Sequence, residues 1–435
     1  MQSQQINKLN FLYYAVLAIP LAFVSLPLTI NIADFYFRQF QLNLGNIAII
    51  ILIAKSFDLL LDPIIGGCCD YLINNKKTTA KKNIIIASFG LAISFFLLFN
   101  PNLWQNNLNK SWWLASCLLS VYFCFNIITI NFESLAVTIA KTQQQRLIIN
   151  NYKESTGLIG VLLASTLPLI LINTNNKQYF YLSVVFVLLI IFALLFFTKL
   201  KINHNFTHEI TNLSILNIIK NTYQNTKFMQ LMLILLINSC AVALPANLLM
   251  FYLKDFLGSL EILPYSLALY FFSALFFMIF WRKMAEKPNK NANLVLKIWL
   301  ISTLGAVLTF IFAVFLQPNY YWWFLLISFS SGAFLGADLI LPPTIIANLL
   351  GNNNPQTASY MSCYSFTTKL GTIIASSSLF LLNLVYHYNL QQQALPLLYA
   401  FLPCLLKIIV ALLLYKQQNA TSSTMQDSLT DGAEK

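Results

Sequence analysis

The acidic residues best suited to bind a cation lie in one short stretch, residues 54–70. Lys55, Asp58 and Asp62 are three and four residues apart, and a helix brings such positions to one face. Two carboxylates one turn apart can hold Na⁺ between their oxygens, or can share one proton because two close like charges repel. Asp58 and Asp62 are therefore the candidate cation site, with H⁺ and Na⁺ both open, and Lys55 can neutralise part of their charge. The alternative is an ion-pair network that only fixes helix packing.

Other ionisable residues interrupt apolar stretches in both halves of the chain. An acid followed by a lysine occurs as Glu133 and Lys153, and again as Asp338 and Lys369. A charge at the centre of a membrane helix costs ~2.5–3.5 kcal/mol, so each one needs a partner, a water-filled cavity or a function. We predict that a cavity for a polar solute is lined by Asp58, Asp62, Lys55, Thr129, Glu133, Lys153, Asp338 and Lys369. Glu154 is expected to face lipid headgroups or water, and Lys407 to snorkel to the membrane surface.

The composition indicates that these residues lie on helices within a membrane. Of 435 residues, 58% are hydrophobic and 9% are charged, too few to cover the surface of a soluble protein. The apolar runs are long and continuous, which favours helices of ~20 residues over barrel strands of ~10. The sequence predicts an all-α integral membrane protein with twelve transmembrane helices. The predicted spans are 11–35, 45–68, 83–100, 111–140, 148–172, 179–199, 228–254, 260–281, 292–316, 321–350, 357–385 and 391–415.

The distribution of positive charge predicts the orientation. Lysine and arginine cluster after the second, fourth and eighth spans, at Lys76, Lys77, Lys81, Lys82, Lys141, Arg146, Arg282, Lys283, Lys287 and Lys290. The opposite loops carry only Arg38, Lys110, Lys177 and Lys254. Since basic loops stay in the cytoplasm, both termini are expected there, in the bacterial inner (plasma) membrane. The net charge of +12 thus reflects topology signals, and nucleic acid is not a predicted partner.

The longest polar segment divides the chain into two halves. We predict an N-terminal six-helix bundle at 1–199, a cytoplasmic linker at 200–227, a C-terminal six-helix bundle at 228–415 and a disordered tail at 416–435. The string Val-x-Leu-Pro ends at Pro27 in the first span and at Pro245 in the seventh. This weak repeat at matching positions is typical of transporters built from two related halves.

The string Lys55-x-x-Asp58-x-x-x-Asp62-Pro63-x-x-Gly66-x-x-x-Asp70 resembles the helix-two signature of the glycoside-pentoside-hexuronide:cation symporter family of the major facilitator superfamily. The resemblance implies cation-binding roles for Asp58 and Asp62. It also implies a gating motif at Pro63, Gly66 and Asp70, whose acid caps a helix end and clasps a neighbouring helix.

The same resemblance extends to lysines in later helices and has clear departures. Lys153 matches the family's helix-five arginine, and Lys369 matches its helix-eleven lysine. The first span lacks the acid of galactoside transporters, Thr129 lies near a family Asp, and Glu133 replaces a Trp. The implied function is symport of a small polar solute such as a sugar or glycoside with H⁺ or Na⁺, by a monomer without a cofactor.

Three alternatives remain open at this stage. A lysolipid or amphiphile facilitator would need a more apolar cavity, and an exporter of organic cations would be opposed by the lysines. A membrane-embedded enzyme would need a nucleophile or metal site. The three histidines, His204, His208 and His387, and the seven cysteines offer no such site, and no phosphate-binding glycine pattern occurs.

Overall fold

A computed structural model describes most of the chain. The described residues are 2–28, 32–42, 44–74, 78–101, 110–170, 178–201, 224–259, 261–286, 292–317, 320–351, 356–378, 381–382, 388 and 390–430. The three histidines, most of the predicted linker (202–223) and the loop residues Lys76, Lys77, Lys177, Lys287 and Lys290 lie outside these ranges.

The described residues form helices and no β-strand. The helices up to residue 198 are α1 Gln2–Ala15, α2 Ala18–Leu26, α3 Ile32–Phe40, α4 Leu44–Asn74, α5 Ala80–Phe99, α6 Lys110–Ile139, α7 Gln143–Ile170 and α8 Gln178–Thr198. The later helices are α9 Thr226–Phe251, α10 Leu263–Ala285, α11 Ala292–Phe310, α12 Tyr321–Leu350, α13 Thr357–Ser376, α14 Gln391–Pro396 and α15 Leu402–Thr430. Short π-helical segments, Tyr252–Phe256 and Leu397–Phe401, follow α9 and α14, and a 3₁₀ turn, Ile311–Val314, follows α11.

Eight segments of the described residues are long and apolar enough to cross a membrane. They are Ala80–Phe99, Lys110–Ile139, Tyr179–Thr198, Phe228–Phe256, Leu263–Ala285, Leu294–Val314, Tyr321–Leu350 and Gln392–Asn419. Each one coincides with a predicted span. The other four predicted spans coincide with α1 to α3, with α4, with α7 and with α13. Of the ionisable residues of the candidate site, α4 carries Lys55, Asp58 and Asp62, α7 carries Lys153, and α13 carries Lys369.

The first predicted span, 11–35, is broken into shorter helices. A turn at residues 16–17 separates α1 from α2, and Pro27 ends α2. Pro20 has no N–H to donate to the carbonyl of Val16, so an uninterrupted α-helical ladder is not available across this turn. The prediction of one continuous helix here is therefore wrong, and the cause is the proline spacing.

The last helix is longer than predicted. α15 runs to Thr430, whereas the sequence predicts a span ending at 415 and a disordered tail from 416. The segment 416–430 contains neither proline nor glycine, and the first glycine follows at Gly432. Since no helix-breaking residue ends the apolar span, the helix continues into polar sequence.

The chain divides into two compact units. The first unit comprises Met1–Gln224 with Leu350–Phe366, and the second comprises Asn225–Leu349 with Thr367–Lys435. In the first unit α5 and α4 pack on α6, and α2 packs on α7. In the second unit α15 packs on α9 and α11. The boundary at Gln224 falls within the predicted linker 200–227.

Tyrosine and tryptophan donors satisfy backbone carbonyls inside both units. In the first unit the hydroxyl of Tyr14 donates to Phe132 O at 2.8 Å, and that of Tyr36 donates to Leu98 O at 2.6 Å. In the second unit Tyr252 donates to Ala313 O at 2.6 Å, and Trp281 Nε1 donates to Ala333 O at 2.7 Å. These bonds tie neighbouring helices together where no water can replace them.

Candidate functional site

Asp58 and Asp62 lie on α4 where the sequence predicts the cation site. The residue Asp62 is fully buried, with 0% of its surface exposed, while Asp58 is partly buried. The side-chain amide of Asn126 on α6 donates to the backbone carbonyl of Asp58 at 3.0 Å. This bond fixes the height of α4 against α6 at the level of the acidic pair.

Proline in α4 adds a polar backbone group beside the acids. Pro63 lies inside the helix and has no N–H, so the carbonyl of Leu59 lacks its usual helical donor. Leu59 directly follows Asp58 and precedes Asp62 by three positions. A carbonyl oxygen and two carboxylates are the kinds of ligand that hard cations prefer.

Lys55 is placed differently from the expectation. Its side chain is exposed, and among the described residues of this structure no carboxylate forms an ion pair with it. The predicted neutralisation of the acidic pair by Lys55 is therefore not formed in the described part of the chain. The spacing predicts that the three residues share one face of the helix, but residues on one face need not have side chains in contact.

A lysine between two carboxylates joins α6 and α7. Lys153 Nζ lies 2.5 Å from Glu133 Oε1 and 2.8 Å from Glu154 Oε1. Its side chain is 8% exposed, and the two glutamates are about one-fifth exposed, at 20% and 23%. Thr129, one turn before Glu133, donates to Phe125 O at 3.0 Å. Glu154, expected to face headgroups or water, instead pairs with the adjacent Lys153.

Asp70 caps the beginning of α13. Its two carboxylate oxygens accept hydrogen bonds from Ala358 N at 3.0 Å and Ser359 N at 2.7 Å. These amides belong to the first turn of α13, where backbone N–H groups have no helical partner, and a carboxylate there also interacts favourably with the helix dipole. Asp70 and residues 350–366 belong to the same unit.

Gly66 lies where α4 packs closely against α13. A Cβ at this position would lie 2.1 Å from Ser362 Oγ and 2.6 Å from Ser362 Cβ. Only glycine allows the two helices to pack at this distance. Pro63, Gly66 and Asp70, the predicted gating motif, thus lie on a helix whose last turns contact the start of α13.

Arg146 satisfies carbonyls at the ends of two helices. It is buried, and its Nε donates to Ala140 O at 3.1 Å while Nη2 donates to Gly351 O at 3.0 Å. Ala140 follows α6, and Gly351 follows α12 with φ +73°, the left-handed conformation that ends many helices. In the sequence, Arg146 is one of the topology signals. In the structure, it also binds the backbone carbonyls at two helix ends.

The second unit contains an ion pair that the sequence analysis missed. Lys407 Nζ on α15 contacts Asp338 Oδ2 on α12 and donates to Asn238 Oδ1 on α9 at 2.8 Å. Asp338 Oδ1 accepts a bond from Trp299 Nε1 at 2.8 Å. Lys407 is 8% exposed, so the expectation that it snorkels to the surface is wrong. The sequence does contain a signal for this pair. Lys407 lies in the middle of an apolar span, and the same criterion identified the other candidate charges.

Lys369 lies on α13 in the second unit and is partly buried. Asp338, its predicted counterpart in the acid-then-lysine pattern, is paired with Lys407 instead. Asp58, Asp62, Glu133 and Lys153 belong to the first unit, whereas Asp338 and Lys369 belong to the second. A cavity shared by all of them stays a prediction.

Metal-binding clusters are not found in the part of the chain that the structure describes. No three His, Cys, Asp or Glu side chains come together there in a metal-binding arrangement. The seven cysteines are free thiols within helices.

The family follows from a match over nearly the whole chain. The model described as "MFS/sugar transport protein" matches residues 13–417. The chain belongs to this family. The family and the resemblance seen in α4 agree, and both are those of transporters rather than enzymes. No curated protein matches the chain.

Solved structures share the fold at low sequence identity. The E. coli fucose:proton symporter FucP has a TM-score of 0.65 and 15% identity, with 95% of this chain and 98% of that chain covered. A bacterial homologue of the iron transporter ferroportin has a TM-score of 0.69 and 14% identity, with 95% and 99% covered. The proton:xylose symporter XylE, bound to 6-bromo-6-deoxy-D-glucose, has a TM-score of 0.66 and 12% identity, with 94% of each chain covered.

The predicted fold class is thereby confirmed. The protein is an all-α, multi-pass membrane protein with the major facilitator fold, in which twelve transmembrane helices form two six-helix bundles. Such a transporter acts on a small molecule and works within a lipid bilayer.

Proposed function

We propose that the protein is a cation-coupled symporter that carries a small polar solute, such as a sugar or glycoside, by alternating access. It works as a monomer without a cofactor in the bacterial inner membrane, with both termini in the cytoplasm. The observation that carries the proposal is Asp62, which is fully buried on α4 one turn after Asp58. A buried carboxylate in a membrane helix is costly, and a bound cation offsets that cost.

The cation binds to the carboxylates of Asp58 and Asp62, with the carbonyl of Leu59 as a further oxygen ligand. Na⁺ uses all three oxygens, whereas H⁺ needs only one carboxylate. The loaded and empty sites therefore differ by one unit of charge. Because the cation binds one conformation more tightly than the other, it shifts their populations, and cation and solute favour each other's binding.

The solute site uses the remaining polar residues of the predicted cavity. Hydroxyl groups of a sugar can accept from lysine and donate to carboxylates, which suits Lys55, Thr129, Glu133, Lys153, Asp338 and Lys369. Lys153 is already positioned by two glutamates. Release of the Asp70 cap from α13 accompanies the change of access, with Pro63 and Gly66 as the other members of the gating motif.

The experiment uses proteoliposomes with pH- and Na⁺-sensitive dyes inside. Sugars, glycosides, organic acids and lysolipids are added to the wild type and to the Asp58→Asn and Asp62→Asn variants. We expect a solute-dependent flux of H⁺ or Na⁺ in the wild type and its loss in both variants, since each loses one ligand charge. The Glu261→Gln variant is the control, because Glu261 is an exposed acid outside the helices.

Two outcomes contradict parts of the proposal. Active ion-coupled uptake in both Asn variants refutes the cation site. Lysolipid transport without any ion flux, unaffected by the substitutions, supports the amphiphile facilitator and leaves Asp58 and Asp62 as a packing network.

A further inference from the structure

The second unit forms a partly open cavity of about 200 Å³. Side chains from α9, α10, α11, α12, α15 and the segment Leu397–Phe401 line it, and most of them are apolar. Its polar groups include Tyr270, Tyr399 and the Asp338–Lys407 pair. All lining residues belong to the second unit, whereas Asp58 and Asp62 belong to the first.

The charges in this cavity are already balanced. Lys407 and Asp338 contribute one positive and one negative charge in direct contact, and Trp299 and Asn238 complete their hydrogen bonds. An ionised ligand would add an uncompensated charge to an apolar cavity, which is strongly unfavourable. The cavity therefore selects an uncharged molecule.

Unused hydrogen-bond donors define the polar part of that molecule. The Lys407 ammonium has three N–H groups, and two of them bond to Asn238 and Asp338. In the described part of the chain, the hydroxyls of Tyr270 and Tyr399 donate to no protein acceptor. A ligand oxygen that accepts a hydrogen bond complements these donors, whereas a ligand that only donates does not.

The volume limits the size of the ligand. Drug-sized ligands occupy pockets of about 300–1,000 Å³, so a cavity of about 200 Å³ holds a smaller molecule, on the order of ten non-hydrogen atoms. The apolar lining stabilises the hydrocarbon part by removing it from water.

We propose that the second unit binds a small, uncharged and mainly apolar molecule whose acceptor oxygen, in a ketone, ester or alcohol, meets Lys407 and the two tyrosines. Of the residues assigned to the proposed solute site, this cavity includes only Asp338, which is paired with Lys407. The proposal does not depend on the proposed transport function.

Photolabelling of the full chain in lipid nanodiscs tests this proposal. The probe is a diazirine analogue of 2-nonanone, and mass spectrometry maps the labelled residues. Competitors of matched size are 2-nonanone, octanoate, nonylammonium and decane. We expect 2-nonanone to lower labelling of residues 399–407 by about tenfold at about ten times its dissociation constant, while the two ions and decane compete far less. Labelling on lipid-facing helix surfaces is not saturable and serves as the internal reference.

Substitutions locate the site independently. Ala306→Phe fills the cavity and is expected to abolish the saturable labelling, whereas Ala268→Phe, an exposed position of α10 outside the lining, leaves it unchanged. Tyr399→Phe removes one donor without changing the ring stacked on Tyr252, and should weaken 2-nonanone binding about three- to tenfold. Monodisperse elution in size-exclusion chromatography verifies that each variant is folded.

Two results overturn the proposal. Labelling of residues 399–407 that no competitor reduces shows that the cavity holds only bilayer lipid. Competition by octanoate or nonylammonium equal to that by 2-nonanone shows that charge balance does not select the ligand.

Discussion

Asp338 and Lys407 make contact in a largely apolar part of the second unit. Each charge alone would be costly there, and contact between them offsets most of that cost. Trp299 and Asn238 supply further hydrogen bonds, so the pair is a network of four residues from four helices. Such networks are sensitive to the loss of one member and less sensitive to the loss of both charges.

The pair yields a stability prediction. Lys407→Met leaves the Asp338 carboxylate unpaired in the cavity and should destabilise the folded protein by about 3–5 kcal/mol. The double substitution Asp338→Asn/Lys407→Met removes both charges, keeps an oxygen for Trp299, and should recover most of that loss. The stability of both variants is measured by thermal unfolding in detergent, which the fluorescence of a thiol-reactive dye monitors. Equal melting temperatures of the single and double variants would contradict the network.

In the first unit, the cluster around Lys153 contains more acidic than basic groups, unlike the neutral Asp338–Lys407 pair. Lys153 contacts Glu133 and Glu154, so the cluster carries one negative charge in excess. The sequence predicted Glu133 and Lys153 as members of a site but assigned Glu154 to the surface. An adjacent residue in sequence points about 100° away on a helix, and long side chains can still bring both groups to one partner.

At the scale of helices, α4 packs closely against the start of α13. Gly66 allows the approach, and Asp70, one turn later, caps α13. Gly66 acts by lacking a side chain, and Asp70 acts by accepting hydrogen bonds from backbone amides of α13. Their spacing of four places them on the same face of α4.

The Gly66→Ala substitution should separate these two helices. Its Cβ would lie 2.6 Å from Ser362 Cβ, so we expect a destabilisation of about 1–3 kcal/mol from overpacking and a lower melting temperature. Gly157→Ala on α7 is the matched control, because the nearest atom to its Cβ, in Ala22, is 3.8 Å away.

Rescue of Gly66→Ala distinguishes the steric cause from other effects. Ser362→Gly removes both atoms nearest to the new Cβ, so the double variant should be more stable than Gly66→Ala alone. If Ser362→Gly destabilises both backgrounds equally, the close approach at Gly66 does not limit packing.

At the scale of the whole molecule, the arrangement of basic loops predicts the orientation in the membrane. Lysine and arginine follow the second, fourth and eighth predicted spans and are sparse on the other side. The positive-inside rule then predicts that the termini and the 200–227 linker lie in the cytoplasm.

Reporter fusions test this orientation. Green fluorescent protein fused after Lys435 should fluoresce, because it folds in the cytoplasm, and alkaline phosphatase at the same point should be inactive. Alkaline phosphatase fused after residue 105, between α5 and α6, should be active, since it reaches the periplasm. The opposite pattern at these two sites would invert the topology. A fusion after residue 201 provides a further cytoplasmic control.

The amino-acid sequence alone determined the helical class, the positions of most spans and the short string on α4 that carries the family resemblance. Apolar runs and helical spacing are local properties, so they can be read along the chain without knowledge of packing. The break at residues 16–17 and the helical conformation of residues 416–430 were not predicted.

The tertiary structure decided which charges meet. Lys407 and Asp338 are 69 residues apart in sequence, and Asp70 and Ala358 are 288 apart. No local pattern identifies such partners, because helix rotation and packing decide which side chains face each other. For the same reason the cavity in the second unit, formed by several helices, was not predictable from the sequence.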